Sequence, residues 1–182
     1  QELKKLREEA EKHGKIGFEF AYIMDQIKEE RERGVTIDLS YKKIITPKRQ
    51  ITIIDAPGHK DFVKNMITGA SQADAAFLTI AVKEGVQPQT KEHLWLLRTM
   101  GVNDIAVLIN KMDTVDYKED AFNKVKEEVS ALLKTVGIKV DKVQFLPVAG
   151  LKGDNIKDKS SNMPWYKGPS LYEQLDLFPE PS

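Results

Sequence analysis

Three short apolar runs, at 75–82, 105–109 and 143–148, alternate with stretches of helical periodicity. A strand that is apolar along its whole length, rather than at every second residue, has to be covered on both faces. Such strands belong to parallel sheets flanked by helices. Between the first two runs, Pro88 opens a helix that carries Leu94, Leu96, Leu97 and Met100 and is closed by Gly101. A longer helix is predicted from about Asp116 to Val136 with Gly137 as its cap, and a last one over 170–177. Upstream, 1–12 places Leu3, Leu6 and Ala10 at helical spacing, and 18–33 continues with Phe20, Ile23, Met24 and Ile27, giving two amphipathic helices separated around Gly14 and Gly17. The segment 35–45 alternates, and the β-rich run 51–54 follows the Pro47 turn, which predicts a hairpin. The expectation is an α/β fold with a mostly parallel sheet in three layers, one domain over 1–182, and a linker-like tail at 178–182 carrying Pro179 and Pro181.

Composition limits the function classes. Lys plus Arg and Asp plus Glu both total 28, so no basic excess announces nucleic acid, and any RNA contact has to be local. The absence of cysteine excludes disulfides and thiolate-bound metal. No apolar run approaches the roughly 20 residues of a membrane helix, and the charged segment 1–15 is not a signal peptide, so a cytoplasmic protein without membrane contact is expected.

Three segments carry chemistry. Ile53-Ile54-Asp55-Ala56-Pro57-Gly58-His59 is an apolar strand ending in an acid and a Pro-Gly turn. A carboxylate there can hold magnesium-bound water, and a glycine lets its backbone N–H approach a terminal phosphate. The same residues also suit an ordinary strand-to-turn junction. Asn110-Lys111-Met112-Asp113 follows the run 105–109 directly, at the carboxyl end of a strand, where open α/β sheets bind ligands. An aspartate there can accept hydrogen bonds from both N1–H and the exocyclic amine of guanine, although Asn and Asp are frequent in any loop after a strand. Arg31-Glu32-Arg33-Gly34-Val35-Thr36-Ile37-Asp38 offers a threonine hydroxyl that can ligate Mg²⁺ on a switchable segment; taken alone, it reads as a charged helix end before a strand.

The order of these three, with Gln144-Phe145-Leu146-Pro147-Val148-Ala149-Gly150 placed where a last base-contacting loop belongs, resembles the GTPase domain of the elongation factor 1-alpha family of translational GTPases. The resemblance extends over essentially the whole chain, including Asp55-Ala56-Pro57-Gly58-His59-Lys60-Asp61-Phe62-Val63-Lys64-Asn65-Met66-Ile67-Thr68-Gly69-Ala70 and Asn162-Met163-Pro164-Trp165-Tyr166-Lys167-Gly168-Pro169. It implies a P-loop GTPase fold that binds GTP or GDP with Mg²⁺ and hydrolyses GTP as a timer in delivering aminoacyl-tRNA to the ribosome, with a guanine-nucleotide exchange factor as a further partner. By the same resemblance, Thr36 and Asp55 surround Mg²⁺, Gly58 senses the γ-phosphate and His59 positions the attacking water. Asn110, Lys111 and Asp113 hold guanine, with Ala149, Gly150 and Leu151 forming the last base loop.

Two departures stand out. Ala149 occupies a position usually held by serine, which leaves its backbone N–H to support the base. The glycine-rich loop ending in Gly-Lys-Ser/Thr does not occur in these 182 residues. The family carries that loop on a first strand and helix just upstream of what is here Gln1, so an upstream segment is expected to be missing from the sequence, as are the β-barrel domains that follow in the family. Other readings stay open: the large subunit of sulfate adenylyltransferase, which the compact 83–90 segment and Val115-Asp116-Tyr117 resemble; a release- or rescue-factor GTPase; and a fragment that binds only a partner. His13 and His93 are expected to be solvated helix residues, Trp95 and Trp165 packing residues, and the charge run 118–128 the wet face of a helix.

Phosphate charges are not desolvated without partners. The 182-residue chain alone is therefore expected to bind GTP weakly or not at all. Isothermal titration with GTP and Mg²⁺ measures this, and a sub-micromolar dissociation constant would overturn it.

Overall fold

The computed structural model describes residues 40–55 and 63–181. The predicted helices at 1–12 and 18–33, and the first part of the predicted hairpin strand, lie outside the described residues. Strands β1 (Ser40–Ile45) and β2 (Gln50–Asp55) form an antiparallel hairpin in which Ile44 faces Ile51. Thr46 closes it: its N–H donates to the Arg49 carbonyl at 2.9 Å, and its hydroxyl accepts the Arg49 N–H at 3.1 Å.

Helix α1 (Val63–Ser71) leads to β3 (Ala75–Ala81), α2 (Pro88–Thr99) and β4 (Asp104–Asn110). A 3-10 turn (Met112–Val115), α3 (Glu119–Val136), β5 (Gln144–Pro147) and α4 (Leu171–Leu177) follow. Strands β3, β4 and β5 form a parallel sheet with β4 in the centre.

The side chains of β4 alternate between two cores. Ile105, Val107 and Ile109 join Leu78, Ile80 and Phe145 beneath Leu94 of α2 and Phe122, Val125, Val129, Leu133 and Val136 of α3. Ala106 and Leu108 join Leu146 and Val148 beneath Leu171 and Leu175 of α4, together with Ile44, Ile51 and Ile53 of the hairpin. The expected three layers follow from this arrangement, but the strands of the described residues make two sheets rather than one. Among the described residues, β2 shares no ladder with β3, and the hairpin is attached through buried Ile44 and partly buried Ile51 and Ile53.

Helix ends follow the local chemistry. Pro88 stands at the first turn of α2, and Gly137 takes the left-handed conformation that ends α3, at φ 84°. The Arg98 guanidinium of α2 donates to the Val136 carbonyl in the last turn of α3, where a cation also complements the helix dipole. Ser170 and Glu173 exchange side-chain to backbone hydrogen bonds at the start of α4, a reciprocal cap.

Four expectations need correction. Helix α3 starts at Glu119, not near Asp116, because Asp116 and Tyr117 adopt left-handed backbone that no helix contains. Phe178 is not a linker residue: its ring meets Phe77 edge-on at 5.3 Å, and its carbonyl accepts from Arg49 at 2.9 Å. Trp95 is 46% exposed rather than packed. His93 is half-buried rather than solvated. Trp165 does pack, 5.3 Å from the Phe122 ring, and the charged residues of 118–128 line the exposed face of α3. No helix of the described residues is long and apolar enough to cross a membrane.

Leu94 is fully buried where α2 meets the sheet. Leu94→Ala is expected to cost about 2–5 kcal/mol through lost burial and the cavity left behind. Urea unfolding of the two proteins measures the difference.

Candidate functional site

Because β4 and β5 are parallel neighbours, their carboxyl ends lie side by side, and the segments leaving them are brought together. Three backbone bonds fasten this junction: Val148 N–H to Ile109 O at 2.9 Å, Met112 N–H to Val148 O at 3.1 Å, and Val82 N–H to Asn110 O at 2.9 Å. The side chain of Asn110 adds the decisive link. Its Oδ1 accepts the Lys111 N–H at 2.7 Å and the Gly150 N–H at 3.0 Å, so one carboxamide ties the segment after β4 to the segment after β5.

Lys111 turns the chain in left-handed conformation at φ 63°, which lifts Asp113 into a half-exposed position in the 3-10 turn above fully buried Met112. Opposite, a second 3-10 turn (Gly150–Lys152) carries buried Gly150 and outward-facing Leu151, which is 63% exposed. A Cβ added at Gly150 would lie 3.5 Å from the Asn110 Oδ1, ordinary van der Waals contact. Glycine here is therefore not demanded by crowding.

The fate of Ala149 differs from the expectation. Its N–H, expected to support a base, donates to the Asp154 carbonyl at 3.2 Å, and the Asp154 N–H returns the bond to the Ala149 carbonyl at 3.2 Å. Ala149 thus closes the loop rather than facing outward, and it is 1% exposed.

Six of the candidate residues, Asn110, Lys111, Asp113, Ala149, Gly150 and Leu151, meet at this end of the parallel sheet. Asp55 stands elsewhere, as the last residue of β2 in the antiparallel hairpin. A carboxylate is a hard oxygen donor of the kind that Mg²⁺ takes. Thr36, Gly58 and His59 lie outside the described residues. Among the described residues no three His, Cys, Asp or Glu side chains gather to hold a metal ion.

Sequence reasoning missed a polar network beside the two loops. The Tyr117 hydroxyl donates to Asp154 Oδ2 at 2.8 Å, while Ser160 Oγ–H and Asn162 Nδ2–H donate to Asp154 Oδ1 at 2.6 and 3.1 Å. Asn155 accepts the Ser160 N–H at 2.7 Å and donates to the Pro147 carbonyl at 2.9 Å. The available signal was the density of Asx and serine residues at 154–162, a composition that favours side-chain to backbone turns. Burial first, then the hydrogen bond and charge of Asp154 and the charge of Asp113, push the Tyr117 phenol up to about 12. Burial likewise raises the Tyr166 phenol, whose O–H donates to the Pro169 carbonyl at 2.7 Å.

The family model described as "Elongation factor Tu GTP binding domain" matches residues 1–180. The chain belongs to that family. Elongation factor 1-alpha of Methanocaldococcus jannaschii is 58% identical over 98% of this chain and 43% of that protein. The protein of the same name from Archaeoglobus fulgidus is 57% identical over 98% of this chain and 42% of that protein. The chain thus spans about two fifths of the length of the curated relatives it matches. Among solved structures, a bacterial selenocysteine-specific elongation factor superposes with a TM-score of 0.63 at 32% identity, covering 72% of this chain and 22% of that one. For this GTP-binding domain, the names of such relatives do not favour the sulfate-activating alternative.

Asn110→Ala leaves the Gly150 N–H, in a buried residue, without its acceptor. A loss of about 1–3 kcal/mol in stability is expected. Faster hydrogen exchange at the Gly150 amide is the accompanying sign, and an unchanged exchange rate would show that the two loops are held without it.

Proposed function

We propose that the chain is the nucleotide-binding part of a translation factor of the elongation factor 1-alpha type, which binds GTP, hydrolyses it and thereby times the delivery of aminoacyl-tRNA to the ribosome. The observation that carries this reading is the Asn110 carboxamide joining the Asp113 turn to the 149–151 loop at the carboxyl ends of adjacent parallel strands. In this reading, the Asp113 carboxylate accepts from N1–H and the 2-amino group of guanine, and adenine, which lacks that pair of donors, is refused. Lys111 and the 149–151 loop bound the base on its other sides, with Gly150 buried against Asn110.

Thr36 and Asp55 would hold Mg²⁺, which when bound neutralises phosphate charge. Gly58 answers to the terminal phosphate through its N–H, and His59 orients the water that attacks. Phosphoryl transfer asks the protein chiefly for positioning and charge stabilisation. Such residues affect turnover far more than affinity. Aminoacyl-tRNA, the ribosome and an exchange factor belong to the longer protein, and the cytoplasm is where these partners are met.

The test is Asp113→Asn in the full-length protein with its phosphate-binding loop in place. Each charge-assisted hydrogen bond contributes on the order of 1.5–3 kcal/mol. Exchanging acceptor for donor should therefore move the preference from GTP to xanthosine triphosphate. Competitive binding of the two nucleotides reads this out, and an unchanged preference for GTP removes Asp113 as the base reader.

A further inference from the structure

Among the described residues, four other than glycine hold left-handed backbone: Lys111 at φ 63°, Asp116 at 53°, Tyr117 at 56° and Asn155 at 55°. All four lie in or beside the two loops of the candidate base site. Left-handed backbone is unfavourable for residues with a Cβ and persists only where the surroundings over-determine it. Asp116 and Tyr117 are consecutive, and together they carry the chain from the Asp113 turn back to the start of α3.

Three bonds hold Tyr117 in that conformation. Its N–H donates to the Met112 carbonyl at 3.0 Å, and its carbonyl accepts the Trp165 indole N–H at 3.1 Å. Its hydroxyl donates to Asp154 at 2.8 Å. Asp154 is in turn the residue whose backbone closes the 149–154 loop against Ala149. The two loops are therefore fastened twice: at their roots by Asn110, and farther out by the phenol and carboxylate of Tyr117 and Asp154.

We propose that Tyr117 and Asp154 form a clasp that positions the Asp113 carboxylate relative to the 149–151 loop, and that they are positioning residues for guanine discrimination rather than groups that touch the nucleotide. The proposal rests on the reading of Asp113 as the base reader. Several observations support a clasp over ordinary loop packing. One Asp154 carboxylate serves three donors, from Tyr117, Ser160 and Asn162, and bonds to a charged acceptor are the stronger kind. The phenol titrates only near 12, so it remains a donor throughout the neutral range. The charge of Asp113 is among the causes of that shift, which places the clasp within electrostatic reach of the group it positions. Discrimination by two parallel hydrogen bonds is more sensitive to the placing of a carboxylate than binding by one. Inosine, which lacks the 2-amino group, forms only one of the two.

The experiment measures GDP and inosine diphosphate affinities in the full-length protein carrying Tyr117→Phe or Asp154→Asn, with thermal melting beside them. Tyr117→Phe removes the clasp bond and little else. It should weaken GDP about five- to tenfold, the size of one intramolecular hydrogen bond, and inosine diphosphate clearly less, so that the ratio between them narrows. Asp154→Asn keeps an acceptor oxygen for the phenol and should narrow the ratio less than Asp154→Ala. Should Tyr117→Phe fail to fold, Ser160→Ala, which removes a different bond to the same carboxylate, is expected to narrow the ratio in the same direction. A ratio that stays constant across the folded variants, whether both affinities hold or both fall together, overturns the clasp. Asp113→Asn in the same protein separates the two ideas. If it shifts preference to xanthosine diphosphate while the clasp variants keep the ratio, the clasp alone is wrong; if it does not, the base-site reading fails and the clasp with it.

Discussion

Strand β4 is buried on both faces, with Ile105 through Ile109 at 3% exposure or less. Its peptide groups have no water to turn to, so they pair with β3 on one side and β5 on the other. This constraint sets the rest. Parallel pairing in a central strand aligns the carboxyl ends of β4 and β5, and helices α2 and α3 on one face with α4 and the hairpin on the other supply the apolar cover. Burial on this scale contributes about 1.5–3 kcal/mol for each fully covered Val or Leu side chain, enough to hold strained loops at the sheet's end.

The loops at that end draw on this stability. Left-handed backbone at Lys111, Asp116, Tyr117 and Asn155 sits where the chain leaves β4 and β5, not scattered over the surface. The hydrogen bonds that stabilise it come from Asn110, Asp154 and Trp165, each anchored in or beside the core. Loops built this way are organised by folding itself, so a site formed from them would not have to be ordered by its ligand. The hairpin is held by a separate set of contacts, in which Thr46 and Arg49 reach Asp176 and Phe178 at the end of α4.

Much of this was legible from local pattern. Pro88 and Gly137 marked helix ends because a fixed φ or a left-handed cap is a property of the single residue. The apolar runs marked β3, β4 and β5; in β4 burial on both faces leaves no room for alternation, whereas Thr79 of β3 is exposed between buried Leu78 and Ile80. The same local reading extended α3 backward to Asp116, since charged residues at helical spacing look alike whether or not the backbone turns left-handed. It also took Phe178 for linker from its neighbouring prolines, where the ring in fact fills space against Phe77. Neither error was avoidable from neighbours in sequence, because the deciding contacts come from far along the chain.

Residue type and spacing were thus enough to name the strands and the caps and to put Asn110, Lys111 and Asp113 at the carboxyl end of a strand, while the resemblance to a family added Ala149, Gly150 and Leu151, which the fold brings beside them. They were not enough to say how each amide is used. That the Ala149 N–H goes to Asp154, that Asn110 holds Gly150 across 40 residues, and that Tyr117 reaches Asp154 across 37 became visible only once the strands were side by side. The physical reason is that propensity and periodicity are properties of a few successive residues, whereas a hydrogen bond requires two groups within about 3 Å, and for distant residues that distance is set by packing.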